Sequence, residues 1–459
     1  MNKLKISGLH YEQLSKHLFP GDNKEAVAIA LCGRYRQGDN HTLLVKKILL
    51  VPYEACFERR GDFVHWPTDL INPFLEEASR SGDAILKIHC HPGFYEQFSA
   101  IDDDSDHKLF TSIHAWLDNG LPHGSCIMLP DRRIFGRFFY EDLQPQAIDR
   151  ISIAGEDIII WNYQQSESMN EEGQLRNLQT FGRKTIETLH SMKIGIVGCS
   201  GTGSPVIEQL KRLGAGELIL VDPDHIDHLN LNRIIGSTQE DAAAKESKVD
   251  VMEREIDKVG FGTRVTKFRS SISERRVIKE LADCDVLFSC VDGAEGRHIL
   301  NLIATYYLIP FFDMGVLLQA DGQGGINGIY GSVHYLRPGG SSLLSRGQYN
   351  LETLRAEAIK RIDREEYERN QYLAAVNESS PAVISINMQV AATAVNEFLA
   401  RVHPYRNISN ADIDAVRIMY SDCTTYPESL PVPCPFFTKF IGWGDIEPLL
   451  NNPELSKDA

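Results

Sequence analysis

Two groups of residues in this 459-residue chain have types and spacings that chemistry requires. The first is His89-Cys90-His91, followed after seven residues by Ser99-Ala100-Ile101-Asp102. Side chains alternate along a strand, so His89 and His91 point the same way and can clasp one ion. If residues 99–102 open a helix, Ser99 and Asp102 share a face, and the carboxylate can come in as a third ligand. Two imidazoles, a carboxylate and an open fourth position make a catalytic zinc site, at which Zn²⁺ supplies Lewis acidity and lowers the pKa of a water to roughly 7. Hydrolysis there also needs a general base that is not itself a ligand. Ser99 could donate a hydrogen bond to the developing oxyanion. A bare His-x-His means little in a chain with 15 histidines; the serine and aspartate at fixed offsets give it weight.

The second group is Gly198-Cys199-Ser200-Gly201-Thr202-Gly203, after the apolar run KIGIV and before SPVIEQLKRLG. Strand, glycine turn and helix together aim backbone N–H groups and a helix N-terminus at a phosphate. Asp222 closes LILVD, where a carboxylate can take ribose hydroxyls. Ser200 stands where a dinucleotide fingerprint needs its second glycine, which argues against a dinucleotide. Further on come Asn230, Arg233, Lys248, Asp292, Arg297 and Asn301. Adenylating a carboxylate means spreading triphosphate charge while pyrophosphate leaves, which calls for an arginine, a lysine and carboxylate-held Mg²⁺. Hydride transfer needs no such set.

The first group resembles the JAMM signature of the JAB/MPN metalloprotease family, H-x-H-P followed by S-x-x-D, and this resemblance covers about the first 160 residues. It implies a zinc isopeptidase that cuts ubiquitin-like proteins from conjugates or trims their precursors, with His89, His91 and Asp102 as ligands. The family places a glutamate base on an early strand. Glu25, opening EAVAIALCG, takes that role ahead of Glu54 and Glu58. The second group resembles the ThiF/MoeB family of the ubiquitin-activating-enzyme superfamily over about residues 170–445. That resemblance implies nucleotide contacts at Gly198, Gly201, Gly203 and Asp222, phosphate handling by Asn230, Arg233 and Lys248 (Lys245 being the competitor), and Mg²⁺ at Asp292. Arg176 is similar to an arginine that these dimeric enzymes lend to a partner subunit, so a homodimer through this half is expected. Relatives often hold a structural zinc with two CxxC pairs; only Cys434 remains of such a pattern, so no zinc is expected here. The crossover segment, about 337–380, where relatives carry a thioester cysteine, has none. Cys423 is the one candidate left and reads as an inert thiol, while Cys199 and Cys290 read as packing residues.

These residues need scaffolding, and the patterning predicts an α/β chain in two domains. Apolar runs at 26–33, 42–53, 84–91 and 124–130 read as strands, with helices near 68–80 and 103–118. Residues 1–162 form the metalloprotease-like unit and 163–175 a polar linker. Residues 176–459 form a Rossmann-like adenylation unit of alternating strands and helices. A helix is expected over 378–402, with serine at its cap and Pro381 in its first turn. The net charge of −16 argues against sequence-independent nucleic-acid binding. No window approaches the roughly 18 apolar residues of a membrane span, and the start lacks a secretory core, so a cytoplasmic location is expected. Nine cysteines without a CxxC pair do not make a disulfide scaffold.

The resemblances together imply a bifunctional enzyme of a prokaryotic ubiquitin-like pathway using Zn²⁺, ATP and Mg²⁺. Its partners would be a ubiquitin-like protein ending in glycine and a conjugating-enzyme-like or sulfur-transfer protein. Two alternatives remain open at this level: a non-catalytic scaffold that binds modifier proteins, and a nicotinamide-dependent oxidoreductase with an appended metal domain.

Overall fold

A computed structural model describes residues 1–163, 170–320, 325–362 and 383–456. The first half contains β1 (Asn2–Ser7), α1 (Gly8–Leu18), β2 (Val27–Gln37), β3 (Asn40–Leu50), β4 (Glu58–Arg60), β5 (Phe63–His65), α2 (Asn72–Ser81), β6 (Ala84–Cys90), α3 (Ala100–Leu117), β7 (His123–Met128), β8 (Ile134–Phe139), β9 (Pro145–Ala147), β10 (Arg150–Ala154) and β11 (Ile158–Asn162). All but β4 and β5 form one nine-stranded mixed sheet in the order β11-β10-β1-β3-β2-β6-β7-β8-β9. The continuous apolar run of β2 follows from its central place. Ala28, Ala30 and Cys32 face the core shared with α1. Val27, Ile29 and Leu31 face the core under α2 and α3. A strand covered on both faces has no polar side to show.

The second half contains α4 (Glu171–Phe181), α5 (Arg183–Ser191), β12 (Lys193–Val197), α6 (Gly203–Arg212), β13 (Glu217–Val221), α7 (Gln239–Ala244), α8 (Lys248–Asp257), β14 (Arg264–Phe268), α9 (Arg275–Ala282), β15 (Val286–Ser289), α10 (Ala294–Tyr306), β16 (Phe311–Ala320), β17 (Ile326–Leu336), α11 (Leu351–Ile362), α12 (Ile384–Val402), β18 (Ala415–Met419) and β19 (Thr424–Glu428). Its sheet runs β14-β13-β12-β15-β16-β17-β18-β19. The strands from β14 to β16 are parallel, and β17 to β19 continue the sheet antiparallel. After β12 the chain goes outward to β13 and β14, then returns to β15 on the other side. The crevice beyond the carboxyl ends of β12 and β15 is therefore the switch point at which such sheets bind ligands.

Two expectations change here. The stretch 163–175, read as a linker, is already helical from Glu171, where Asn170 accepts a hydrogen bond from Gly173 N and caps α4; residues 164–169 lie outside the described residues. The helix expected over 378–402 is described from Ile384, and its serine cap and Pro381 lie outside the described residues.

The two halves share a packed and charged interface. Lys3 pairs with Asp283 at 2.7 Å, with both side chains about nine-tenths buried. Lys5 donates to the carbonyls of Cys284 (2.8 Å) and Ala282, and burial lowers its pKa to about 8. Arg150 pairs with Asp285 at 3.0 Å. The Tyr35 hydroxyl donates to Lys279 O, and Ile158 and Ile160 of β11 sit in the core of the second half. A Cβ at Gly33 would lie 2.1 Å from Gly442 O, so the segment after β19 runs backbone-to-backbone along β2, where Arg34 and Gly444 form a bridge. Fully buried Arg401 stacks over Tyr335 at 3.7 Å and donates to Glu156 O, while the Tyr335 hydroxyl donates to Gly155 O. Whatever path residues 164–169 take, the halves are held by contacts of this kind.

Candidate active sites

At the carboxyl end of β6, His89 and His91 project to one face, as alternation requires. The antiparallel register that pairs Val27 with His89, continued by one step on that face, sets Glu25 opposite His91. Ser99 then caps α3: its Oγ accepts from Asp102 N at 3.1 Å while Asp102 Oδ2 accepts from Ser99 N at 2.7 Å. That reciprocal cap turns Asp102 toward the strand.

The four side chains converge. His89 Nε2 lies 3.2 Å from His91 Nε2 and 3.0 Å from Asp102 Oδ1. His91 Nε2 lies 3.5 Å from Asp102 Oδ2 and 3.8 Å from Glu25 Oε1. His91 donates from Nδ1 to Tyr95 O at 2.7 Å, which leaves the Nε2 lone pair facing inward. Two imidazole nitrogens on one tetrahedral zinc, each at about 2.0–2.1 Å from it, would stand about 3.3 Å apart, so the present spacing fits that ion. Glu25, His89 and His91 also form a group of ligand atoms within 4.8 Å of one another. Burial raises the Glu25 pKa to about 7, partly opposed by His91, so this carboxyl can both take and return a proton near neutrality. Burial opposes ionisation of Asp102 too, but its close pairing with His89 and His91 and the hydrogen bond from Ser99 N outweigh it and hold its pKa below the usual carboxylate range.

The structure separates the competing glutamates. Glu54 and Glu58 are exposed, whereas Glu25 is buried against the histidines. Cys90 points into the opposite core, its thiol donating to Leu18 O. The Ser99 hydroxyl donates to Asp102 Oδ2 at 2.7 Å and so steadies that carboxylate beside the histidines.

The second centre lies at the switch-point crevice. Gly198 follows β12 with φ +94°, and a Cβ there would lie 2.4 Å from Cys290 O. A Cβ at Gly203 would lie 1.8 Å from Gly198 O. Glycine is thus obligatory at both ends of the turn. Asp222, at the end of β13, accepts from Cys199 N at 2.7 Å and from Asp224 N at 2.9 Å. Burial raises its pKa, opposed by Lys248. The Lys248 Nζ lies 2.7 Å from Asp224 and 3.6 Å from Asp222. Lys245, in contrast, is a surface lysine paired with Asp227, so Lys248 is the one that reaches the crevice. Arg233 lies over Gly201, its Cδ 3.2 Å from where a Cβ would be, and its guanidinium donates to Leu229 O. Asp292 is exposed between β15 and α10.

Asn230 and Arg176 are not gathered with these side chains. The Asn230 carboxamide oxygen accepts from Asp227 N and caps its own turn, while Arg176 is exposed and bonded to Gln179 of the same helix. Cys199 and Cys290 are buried with pKa values raised by desolvation, and Cys434 is buried as well. Cys423 is exposed, in left-handed backbone.

The ThiF family model matches residues 172–425, more than half of the sequence. The chain belongs to the ThiF family. Similar curated proteins include ubiquitin-like modifier-activating enzyme 5 of Drosophila virilis, 28% identical over 169 residues, and of Drosophila mojavensis, 30% identical over 166 residues. Each match covers 34% of this chain and 39% of the relative. The enzyme of the same name from Aedes aegypti is 28% identical over 180 residues, 37% of this chain and 43% of its own. The chain thus spans about two-fifths of the length of these relatives. Among solved structures, E. coli MccB with ATP is 17% identical with a TM-score of 0.45, covering 57% of this chain and 73% of its own. MccB in complex with N-formylated MccA is 15% identical with a TM-score of 0.45, covering 89% and 98%.

Several residues of this ThiF-family crevice lie outside the sequence motifs. Glu357 on α11 accepts from Ala294 N (2.9 Å) and Glu295 N (2.8 Å), capping the helix that follows Asp292. Asp313 accepts from Ser289 Oγ at 2.6 Å and from Arg297 Nε at 3.1 Å, and Arg297 in turn donates to Asp292 O. In the metal-like centre, Asp106, one turn beyond Asp102, accepts from Lys87 Nζ at 2.6 Å and from Arg137 Nη2 at 2.7 Å, fastening α3 to the sheet. No short motif carries Glu357, Asp313, Asp106, Lys87 or Arg137. An acidic residue four positions after Asp102, and a lysine two before His89, are the only sequence traces of the last group.

Proposed function

We propose that the protein is a two-centre enzyme of a ubiquitin-like modifier pathway. In this reading residues 1–162 are a JAMM-type zinc isopeptidase and residues 176–459 an ATP-dependent adenylyltransferase, joined by 163–175. The observation that carries the reading is the convergence of Glu25, His89, His91 and Asp102 in a chain that also holds a ThiF-family glycine turn with Asp222 and Lys248. Both chemistries act on the same class of protein carboxyl terminus. The curated relatives are named for activating a ubiquitin-like modifier, which supports this substrate class for the second half.

In the first centre His89, His91 and Asp102 would hold zinc, which supplies Lewis acidity toward a carbonyl oxygen. Glu25 takes the proton from the attacking water and gives it to the leaving amine. Ser99 keeps Asp102 oriented, with Asp106, Lys87 and Arg137 holding the helix behind it. In the second centre the substrate carboxylate oxygen attacks the α-phosphorus of ATP, and the bond to the pyrophosphate oxygen breaks. Lys248 and Arg233 offset the charge that moves onto the pyrophosphate, Asp222 holds ribose hydroxyls, and Asp292 is the carboxylate that would hold Mg²⁺.

ATP–pyrophosphate exchange is expected only when a ubiquitin-like protein with a free C-terminal glycine is present, and Asp292→Ala should abolish it. Undiminished exchange by Asp292→Ala would place the Mg²⁺ site elsewhere.

A further inference from the structure

A side chain outside every motif bears on the nucleotide crevice. Asn387 sits in the first turn of α12, which packs along α6, the helix that opens on the glycine turn. It is 4% exposed. Its backbone N–H donates to Val383 O at 3.0 Å, and among the described residues its side-chain amide makes no hydrogen bond to the protein. An amide held on a mostly buried residue without a protein partner keeps its N–H donors available to a ligand at its own position. This amide lies against the glycine turn: a Cβ at Gly201 would be 2.5 Å from Asn387 Nδ2 and 3.2 Å from Arg233 Cδ. Gly201 is thus flanked by a guanidinium-bearing chain on one side and an unused pair of N–H donors on the other.

We propose that Asn387 is a further phosphate-binding residue, donating from Nδ2 to a phosphate oxygen of ATP seated on the Gly198–Gly203 turn opposite Arg233. The proposal rests on the adenylation reading above. A phosphate oxygen is the right complement, since it accepts only, and a donor held by burial loses little entropy on meeting it. It also gives a physical reason for glycine at position 201, where a Cβ would push both flanking side chains away. Because α12 follows the crossover segment, the contact joins that part of the chain to the bound nucleotide.

The test is calorimetric titration of the full-length chain with Mg²⁺·ATP and, separately, with adenosine, for wild type, Asn387→Ala and Asn387→Asp. Asn387→Ala should weaken ATP binding about tenfold to a hundredfold, the usual worth of a hydrogen bond to a charged group, and leave adenosine binding unchanged. Asn387→Asp should weaken ATP binding further by setting a carboxylate against phosphate. Thermal melts of both variants establish that they are folded. ATP affinity within twofold of wild type in Asn387→Ala, or an equal loss for adenosine, would overturn the proposal, the latter by showing a change of pocket shape. Wild-type protein that binds no ATP would instead remove the adenylation reading, and the proposal with it.

Discussion

Residues of one type in this chain are sorted into different tasks by burial and pairing. Glu25, Glu54 and Glu58 all lie near the start of the first half, but only Glu25 is buried across from His91 with its pKa raised to about 7. Glu25→Gln should therefore abolish isopeptidase turnover while zinc remains bound, and Glu58→Gln should leave both unchanged. Hydrolysis of a modifier fusion and metal content, measured on the same samples, check this. The lysines divide in the same way. Lys248 reaches Asp222 and Asp224, whereas Lys245 sits in solvent with Asp227. Lys248→Ala should cut ATP–pyrophosphate exchange by roughly 10²–10³-fold, as for loss of a transition-state donor, and Lys245→Ala by less than about twofold. Burial of this kind cannot be read from spacing, which is why the motif around Lys248 left both lysines in contention.

At the scale of elements, the sheets and their helices were legible because patterning is local. The apolar run of β2, the strand–glycine–helix of β12 and α6, and the S-x-x-D that caps α3 each announce themselves within about ten residues. The joint between the halves is built from residues far apart in sequence and none of a telling type. Lys3 meets Asp283, Arg401 meets Tyr335 and Glu156, and Gly442 lies on Gly33. A polar stretch at 164–174 suggested a tether, and nothing local warned that its neighbours were packed across an interface. Removing Lys3 leaves Asp283 with Lys193, 3.3 Å from its other oxygen, as its remaining partner, so the lost charge is compensated only in part. Lys3→Met should accordingly lower stability, by less than the ~3 kcal/mol of a wholly uncompensated buried charge, read as a shifted midpoint in chemical denaturation. Residues 1–162 expressed alone should expose the apolar side chains Ile158 and Ile160 and aggregate. A soluble, folded fragment with native β11 would show that the interface is dispensable.

The whole molecule carries several histidines that burial keeps neutral: His10 and His298, both lowered to about 4, and His123 and His334, lowered well below their ordinary value. For such a group the unfolded chain binds a proton more readily than the folded one between pH 6.5 and 4. The stability it contributes is full above pH 6.5 and is lost as pH falls toward 4. The melting temperature should therefore decline steadily from pH 6.5 downward, ahead of the carboxylate titration near pH 4, and a flat profile to pH 5 would contradict that burial. We propose that this ThiF-family chain carries a hydrolytic zinc centre in its own first half. Metal content per chain tests it most directly, by elemental mass spectrometry of purified wild type, Glu25→Gln and a His89→Ala, His91→Ala double variant. About one zinc per chain is expected in the first two and none in the third, whereas zinc retained by the double variant, or absent from wild type grown with zinc, would rule that centre out.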